Sequence, residues 1–203
     1  MRALFLCLGV ATLTFLPIRA QAAPITFEGL TEGDVLDGTQ FPGLTFSGGT
    51  VLTLESAGGS LNEYDFPPRS GSNVVGNEAS LTISFQSQIQ SFSAFFNYTS
   101  ALSIEAFDAF GNPLGAVSSL FDNNGPFGGA YNPSELITLS VLAGISSITM
   151  STADAGGVFT IDDLDFTAAP LTAPVPEPGT LLLVLTGIGA IARRVRASRV
   201  QPV

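Results

Sequence analysis

Gln90-Ser-Phe-Ser-Ala-Phe-Phe-Asn-Tyr-Thr-Ser-Ala-Leu-Ser-Ile-Glu-Ala-Phe107 is the stretch on which the reading of the fold turns. Phe92, Ala94, Phe96 and Tyr98 recur at every second position, with Ser91, Ser93 and Asn97 between them and Phe95 breaking the polar side. A period of two sends successive side chains to opposite faces of an extended chain, so this is a half-buried strand. Tyr98 falls in phase with Phe92 and Phe96, which assigns it to the core. Thr99-Ser100 can turn the chain, after which Leu102, Ile104 and Ala106 again point one way.

The same texture extends in both directions. Ala79–Phe85 alternates Leu81, Ile83 and Phe85 against Thr82 and Ser84, and short β-type runs stand at Pro24–Glu28, Gly43–Ser47 and Thr50–Glu55. Further runs follow at Leu114–Ser118, Glu135–Val141, Ile145–Ser151 and Val158–Phe166. Gly, Asn and Pro punctuate them. Gly29–Gly38 reads as a long loop, Asp108–Pro113 as a hairpin turn, and Asp122–Asn132 as an exposed glycine-rich loop. No segment before residue 179 keeps a 3.6-residue period. About ten short strands imply an all-β fold, an antiparallel β-sandwich over residues 23–166. In the last run, Phe159 and Ile161 share one parity while Leu164 and Phe166 share the other. Burying all four requires an extra residue at Asp162-Asp163, a β-bulge.

Composition excludes several chemistries. Among 203 residues there is no His, Lys or Trp, and the single Cys is Cys7. Ser-His-Asp catalysis, histidine metal sites and, once Cys7 is removed, thiolate chemistry and disulfides are excluded. All 17 acidic residues lie between Glu28 and Glu177, where Arg69 is the only basic one, a net charge of −16 over that segment. Such a surface repels nucleic acid and anionic membranes and attracts divalent cations. Carboxylates for glycoside hydrolysis are plentiful, but nothing places two of them in one cleft, so the expectation is a non-enzymatic protein.

Both termini read as addresses. Met1–Ala22 has a basic Arg2, an apolar Ala3–Leu16 and small residues at Ala20 and Ala22, the pattern of a signal peptide cut by signal peptidase after Ala22. Thr167–Val175 is a linker of alanines and prolines. Pro176-Glu177-Pro178 follows, then the uncharged apolar run Gly179–Ala192, then Arg193, Arg194, Arg196 and Arg199. The apolar run is a short transmembrane helix, about 21 Å at 1.5 Å per residue, and the arginines hold its end in the cytoplasm. This ordered triple over residues 176–199 resembles the bacterial PEP-CTERM sorting signal. The resemblance implies a partner, a membrane protease of the exosortase class, that cuts near Pro176-Glu177-Pro178. It also implies a transient inner-membrane stage, then passage to the cell surface or an exopolysaccharide matrix.

The remainder resembles the jelly-roll ectodomains attached to such signals, which look distantly like carbohydrate-binding modules. Ile25–Leu30, Gly43–Phe46, Ser70–Val74 and Phe159–Phe166 carry the resemblance. It implies a structural Ca²⁺ bridging the first and last strands, with Glu28 and Asp162 or Asp163 at its ligand positions. Solvated strand ends are the other reading of these acids. A structural or adhesive role beside exopolysaccharide is the functional expectation. Glycan binding is the alternative, and sugar faces stack on aromatic rings. Tyr64 and Tyr131 lie in loops that can present them, although loop anchoring explains the same positions. Asn97-Tyr98-Thr99 matches a glycosylation acceptor but is discounted beside a bacterial signal.

Overall fold

The computed structural model describes residues 23–78, 80–126, 131–169, 186–188 and 194. The segment 1–22, Pro176-Glu177-Pro178, Arg193, Arg196 and most of 179–192 lie outside the described residues. The chain divides into two compact units, Met1–Ala169 and Pro170–Val203. In the second, residues 186–188 and 194 are helical. Among the described residues no helix is long and apolar enough to cross a membrane.

The first unit is antiparallel β-sheet: β1 (Leu44–Ser47), β2 (Thr50–Thr53), β3 (Asn73–Glu78), β4 (Ser80–Tyr98), β5 (Leu102–Phe107), β6 (Pro113–Ser118), β7 (Glu135–Thr152) and β8 (Val158–Ala168). Several strands differ in extent from the expected runs. The Ala79–Phe85 and Gln90–Tyr98 runs join into one strand of 19 residues, and the Glu135–Val141 and Ile145–Ser151 runs into one of 18. Pro24–Glu28 reaches the sheet only through a bridge between Ile25 and Leu164. Finally, β8 continues past residue 166, because Thr167 and Ala168 still pair with Ser91 and Ile89.

The two long strands create the layered core. In β4 the buried apolar residues are Leu81, Ile83, Phe85 and Ile89, then Phe92, Ala94, Phe96 and Tyr98, so parity changes between Ile89 and Phe92. Register with both neighbours shifts between Ile89 and Ser91. An extra residue at such a bend lets a strand leave one layer and enter the other with its apolar side still inward. β7 bends at the same level, where Ile89 faces Ile145 but Ser91 faces Ser140. Gly144 occupies that corner with φ +86°, and a Cβ there would stand 2.8 Å from the Gln88 side chain. One layer therefore runs β1, the first part of β4, the last part of β7, β5, β6; the other runs β2, β3, β8, the last part of β4, the first part of β7. Phe85 and Phe166 meet across the layers with ring centroids 5.4 Å apart.

On the solvent side of the first layer the register aligns side chains in rows. Thr45 faces Ser84, which faces Ser147, and the row continues to Phe107 and Pro113. Ser47, Thr82, Thr149, Glu105 and Ala116 form the next row, and Ser80, Ser151, Ser103 and Ser118 the third. Thr82 and Thr149 hydroxyls are 3.0 Å apart.

Candidate functional site

The outer face of the second layer is covered by loops, and the expected bulge anchors them. Ser93 pairs with Asp165 but Phe95 with Asp162, so β8 carries one residue more than β4 across this interval. Asp163 takes the left-handed φ of +46° at that point. Phe159, Ile161 and Leu164 are all fully buried as a result. Asp162 then points away from the core, yet it is only 2% exposed, because the loop between β2 and β3 reaches it.

That loop is held by carboxylates. The Arg69 and Ser70 N–H groups donate to Asp162 Oδ2 at 2.8 and 2.9 Å, and the Asp163 N–H donates to Asp162 Oδ1 at 2.7 Å. Ser70 Oγ donates to Asp163 Oδ1 at 2.6 Å. Farther along, the Ser72 and Asn73 N–H groups both donate to Glu28 Oε1 at 2.8 Å. The Arg69 guanidinium lies 4.6 Å from the centre of the Phe95 ring, a cation–π contact that explains the aromatic residue on the otherwise polar side of β4. Burial pushes the Asp162 carboxyl up to about 6; the Ser70, Asp163 and Arg69 N–H groups pull it down, and the charge of Asp163 adds to the rise.

Glu28, Asp162 and Asp163 thus all contact the same loop, as their positions at the first and last strands imply. The set does not fit calcium in this arrangement. Ca²⁺ takes several oxygen donors, whereas the groups aimed at these carboxylates are N–H and O–H donors. Among the described residues no group of three or more His, Cys, Asp or Glu could hold a metal ion.

A second loop, between β6 and β7, joins the first at the end of β4. Asn97 Nδ2 donates to the Pro67 carbonyl at 2.9 Å, while its Oδ1 accepts from the Ser134 N–H at 2.7 Å. Asn97 is buried with both ends of its amide engaged, so it cannot serve as a glycosylation acceptor in the folded chain. Asn124, fully buried, accepts from the Tyr98 N–H at 2.8 Å and donates to the Phe96 carbonyl at 2.9 Å. Gly125 lies beside the Asp65 carbonyl, and the Asn132 N–H donates to the Asn124 carbonyl at 3.0 Å. The segments bearing Tyr64 and Tyr131 therefore belong to one loop cluster, where the two side chains are 64% and 61% exposed. Tyr98 is in the core, as its phase requires. Its hydroxyl donates to the Glu135 carboxylate, and burial followed by that carboxylate raises its pKa.

Sequence reasoning singled out Asp162, Asp163 and Glu28, either as cation ligands or as solvated strand ends. It missed Asn97, Asn124 and Arg69 as the residues that fix the loops. Phe95 was the available signal for Arg69, a lone aromatic on a polar face opposite the only cation of the segment. Nothing comparable marks Asn124 within Asp122–Asn132.

No protein-family model matches the chain, and no curated protein sequence matches it. Several solved structures are similar to it over much of the chain at low identity. TmCBM61 in complex with β-1,4-galactotriose is 13% identical over 63% of this chain and 90% of its own, with a TM-score of 0.37. A family 6 carbohydrate-binding module is 15% identical over 68% and 95%, with a TM-score of 0.36. A glycoside hydrolase family 43 arabinoxylan arabinofuranohydrolase from Bacillus subtilis, solved with cellotetraose, is 18% identical over 71% and 30%, with a TM-score of 0.38. At these values the likeness extends to neither a ligand nor an activity.

Proposed function

We propose that this chain is an exported, non-catalytic β-sandwich protein that an exosortase-type protease processes and delivers to the cell surface or an exopolysaccharide matrix, where it acts structurally or adhesively. The observation that carries the reading is the order Pro176-Glu177-Pro178, apolar Gly179–Ala192, Arg193-Arg194-Val195-Arg196, placed just after a compact unit ending at Ala169. Signal peptidase would act at the other end, after Ala22. The acidity of the domain agrees with this destination, since charge far from zero keeps an exported domain soluble. Glu177→Ala is the test. The variant accumulates as an uncut precursor in the inner-membrane fraction, whereas the parent chain leaves it. Release of an unchanged product ending near residue 176, read by mass spectrometry of the C-terminus, would falsify the sorting step.

Glycan binding is the second reading, favoured by the exposure of Tyr64 and Tyr131 within one loop cluster. On that reading Tyr64→Ala and Tyr131→Ala each abolish retention on a glycan array while leaving the unfolding midpoint in place.

A further inference from the structure

The first layer's outer face differs from the rest of this surface in its charge. A solvated sheet face commonly carries Lys, Glu and Asp, which keep it soluble and its edges unpaired. Here ten of the fourteen positions in three cross-strand rows are Ser or Thr, the others being Phe107, Pro113, Ala116 and Glu105, the one ionisable side chain among them in a segment that carries 17 acids. Each hydroxyl is both a donor and an acceptor. Neighbouring rows repeat at about 7 Å along the strands and neighbouring strands at about 4.8 Å, so across β1, β4 and β7 the face is a regular field of neutral hydrogen-bonding groups.

At one edge this field opens into a groove of about 400 Å³, a volume within the range of small-molecule sites. Thr45 and Ser84, the start of the first hydroxyl row, line it together with Gln86, Phe85, Leu44, Gly38 and Gly43. Gly38 has no room for a side chain without crowding Thr45, whose Oγ1 would stand 3.2 Å from a Cβ. Gly43 takes φ +85°, and its carbonyl receives the Gln86 N–H at 2.9 Å. Two hydroxyls and a primary amide therefore converge on a concavity without a charge in its lining.

We propose that this groove and the hydroxyl rows running from it bind an extended neutral polysaccharide. Sugar hydroxyls are matched by groups that both donate and accept, and an anionic polymer is disfavoured by the −16 charge of the segment. The proposal rests on the matrix reading above and names the face by which the domain would hold its polymer. It is separate from the Tyr64 and Tyr131 cluster, which belongs to loops over the other layer.

Affinity electrophoresis of the full-length chain through gels containing hydroxyethylcellulose, galactan or dextran tests it. The chain is retarded by at least one of the three, and Thr45→Ala with Ser84→Ala weakens that retardation about tenfold in Kd, as does Gln86→Ala. Ser84→Glu, at an exposed position, abolishes it, and the unfolding midpoints of all these variants stay near that of the parent. Tyr64→Ala and Tyr131→Ala leave retardation unchanged. Absence of retardation in all three polymers overturns the proposal, as does retardation sensitive to the tyrosines and indifferent to Thr45, Ser84 and Gln86. Neither result touches the sorting reading, which stands or falls on processing of the Glu177→Ala precursor.

Discussion

Replacing Asp162 by Asn alters how stability depends on pH, and the structure sets both the sign and the size. The carboxyl is pushed from its ordinary 3.8 up to about 6 by burial under the Arg69–Asn73 loop, against the pull of three N–H donors. A folded-state pKa above the unfolded one means that the folded protein holds the proton more tightly. The corresponding stability is fully present below about pH 4 and is lost as pH rises through about 6. A rise of this size is worth about 3 kcal/mol at 1.36 kcal/mol per pH unit. Solvent at the loop margin screens it to about 1–2 kcal/mol. Asn at 162 can still accept the Arg69 and Ser70 N–H bonds but cannot titrate. The parent's advantage over Asp162→Asn should therefore be larger at pH 4 than at pH 7 by about 1–2 kcal/mol, or about 3–6 °C in midpoint for a domain of this size. Every other carboxyl titrates in both proteins and largely cancels in the difference. Thermal unfolding of parent and variant at pH 4, 5, 6 and 7 measures it. A difference that stays constant across that range, or grows toward pH 7, refutes the argument, because the N–H bonds would then outweigh burial.

Three further outcomes follow from the loop contacts. Asn124→Ala leaves the Tyr98 N–H and the Phe96 carbonyl without their partners inside the core, which should cost about 2–4 kcal/mol in urea unfolding. Gly71→Ala places a Cβ 2.3 Å from the Glu28 carboxylate at a φ of +57°, so the carboxylate must leave the Ser72 and Asn73 N–H groups; a loss of about 2 kcal/mol or more is expected. Unfolding curves in EDTA and in millimolar Ca²⁺, with NaCl matching ionic strength, should coincide. A Ca²⁺-specific rise that Asp162→Asn with Asp163→Asn removes would show that the carboxylates exchange their N–H partners for the ion.

Strand positions were legible wherever one face is buried, because burial enforces a period of two over Leu81–Phe85, Phe92–Tyr98 and Leu102–Ala106. The bulge at Asp162-Asp163 was legible for the same reason, as a break of phase. An equivalent break between Phe85 and Phe92 is equally open to reading, but in sequence it looks like the gap between two strands. A phase break reports an extra residue without saying whether the chain turns or bends. The loops were not legible. Their anchors join residues far apart in the chain, such as Arg69 to Asp162 and Asn97 to Ser134, and local pattern holds no trace of such pairs. For Glu28 the sequence leaves a cation and plain solvent open as partners, and the loop amides it meets are not foreseen, since an acid that faces a loop looks the same in sequence whichever of these satisfies it.

Composition explains why the amide was the partner. Between Glu28 and Glu177 the chain has 17 acids and one base, and Arg69 lays its guanidinium on Phe95. A carboxylate drawn toward the interior must still be satisfied, and with cationic side chains almost absent the available donors are backbone N–H groups and hydroxyls. The turns are built accordingly. Asp37 accepts from the Thr39 N–H and hydroxyl, both at 2.7 Å, and Asp108 accepts from the Phe110 and Asn112 N–H groups at 2.8 and 2.9 Å. Glu32 takes the Thr53 N–H and the Ser60 hydroxyl, both at 2.5 Å, and the hydroxyl bond leads in lowering its pKa. No cysteine stands between residues 23 and 203, so these bonds hold the loops where disulfides hold them in many other small domains. The two devices act on different states. A disulfide restrains the unfolded chain, whereas an N–H group bound to a carboxylate exists only once both loops and strands are in place. Loop order in this domain is therefore tied to the integrity of the sheet beneath it. Such short contacts are screened by salt much less than the diffuse repulsion among the acids, so raising ionic strength relieves the repulsion and leaves the loop anchors intact.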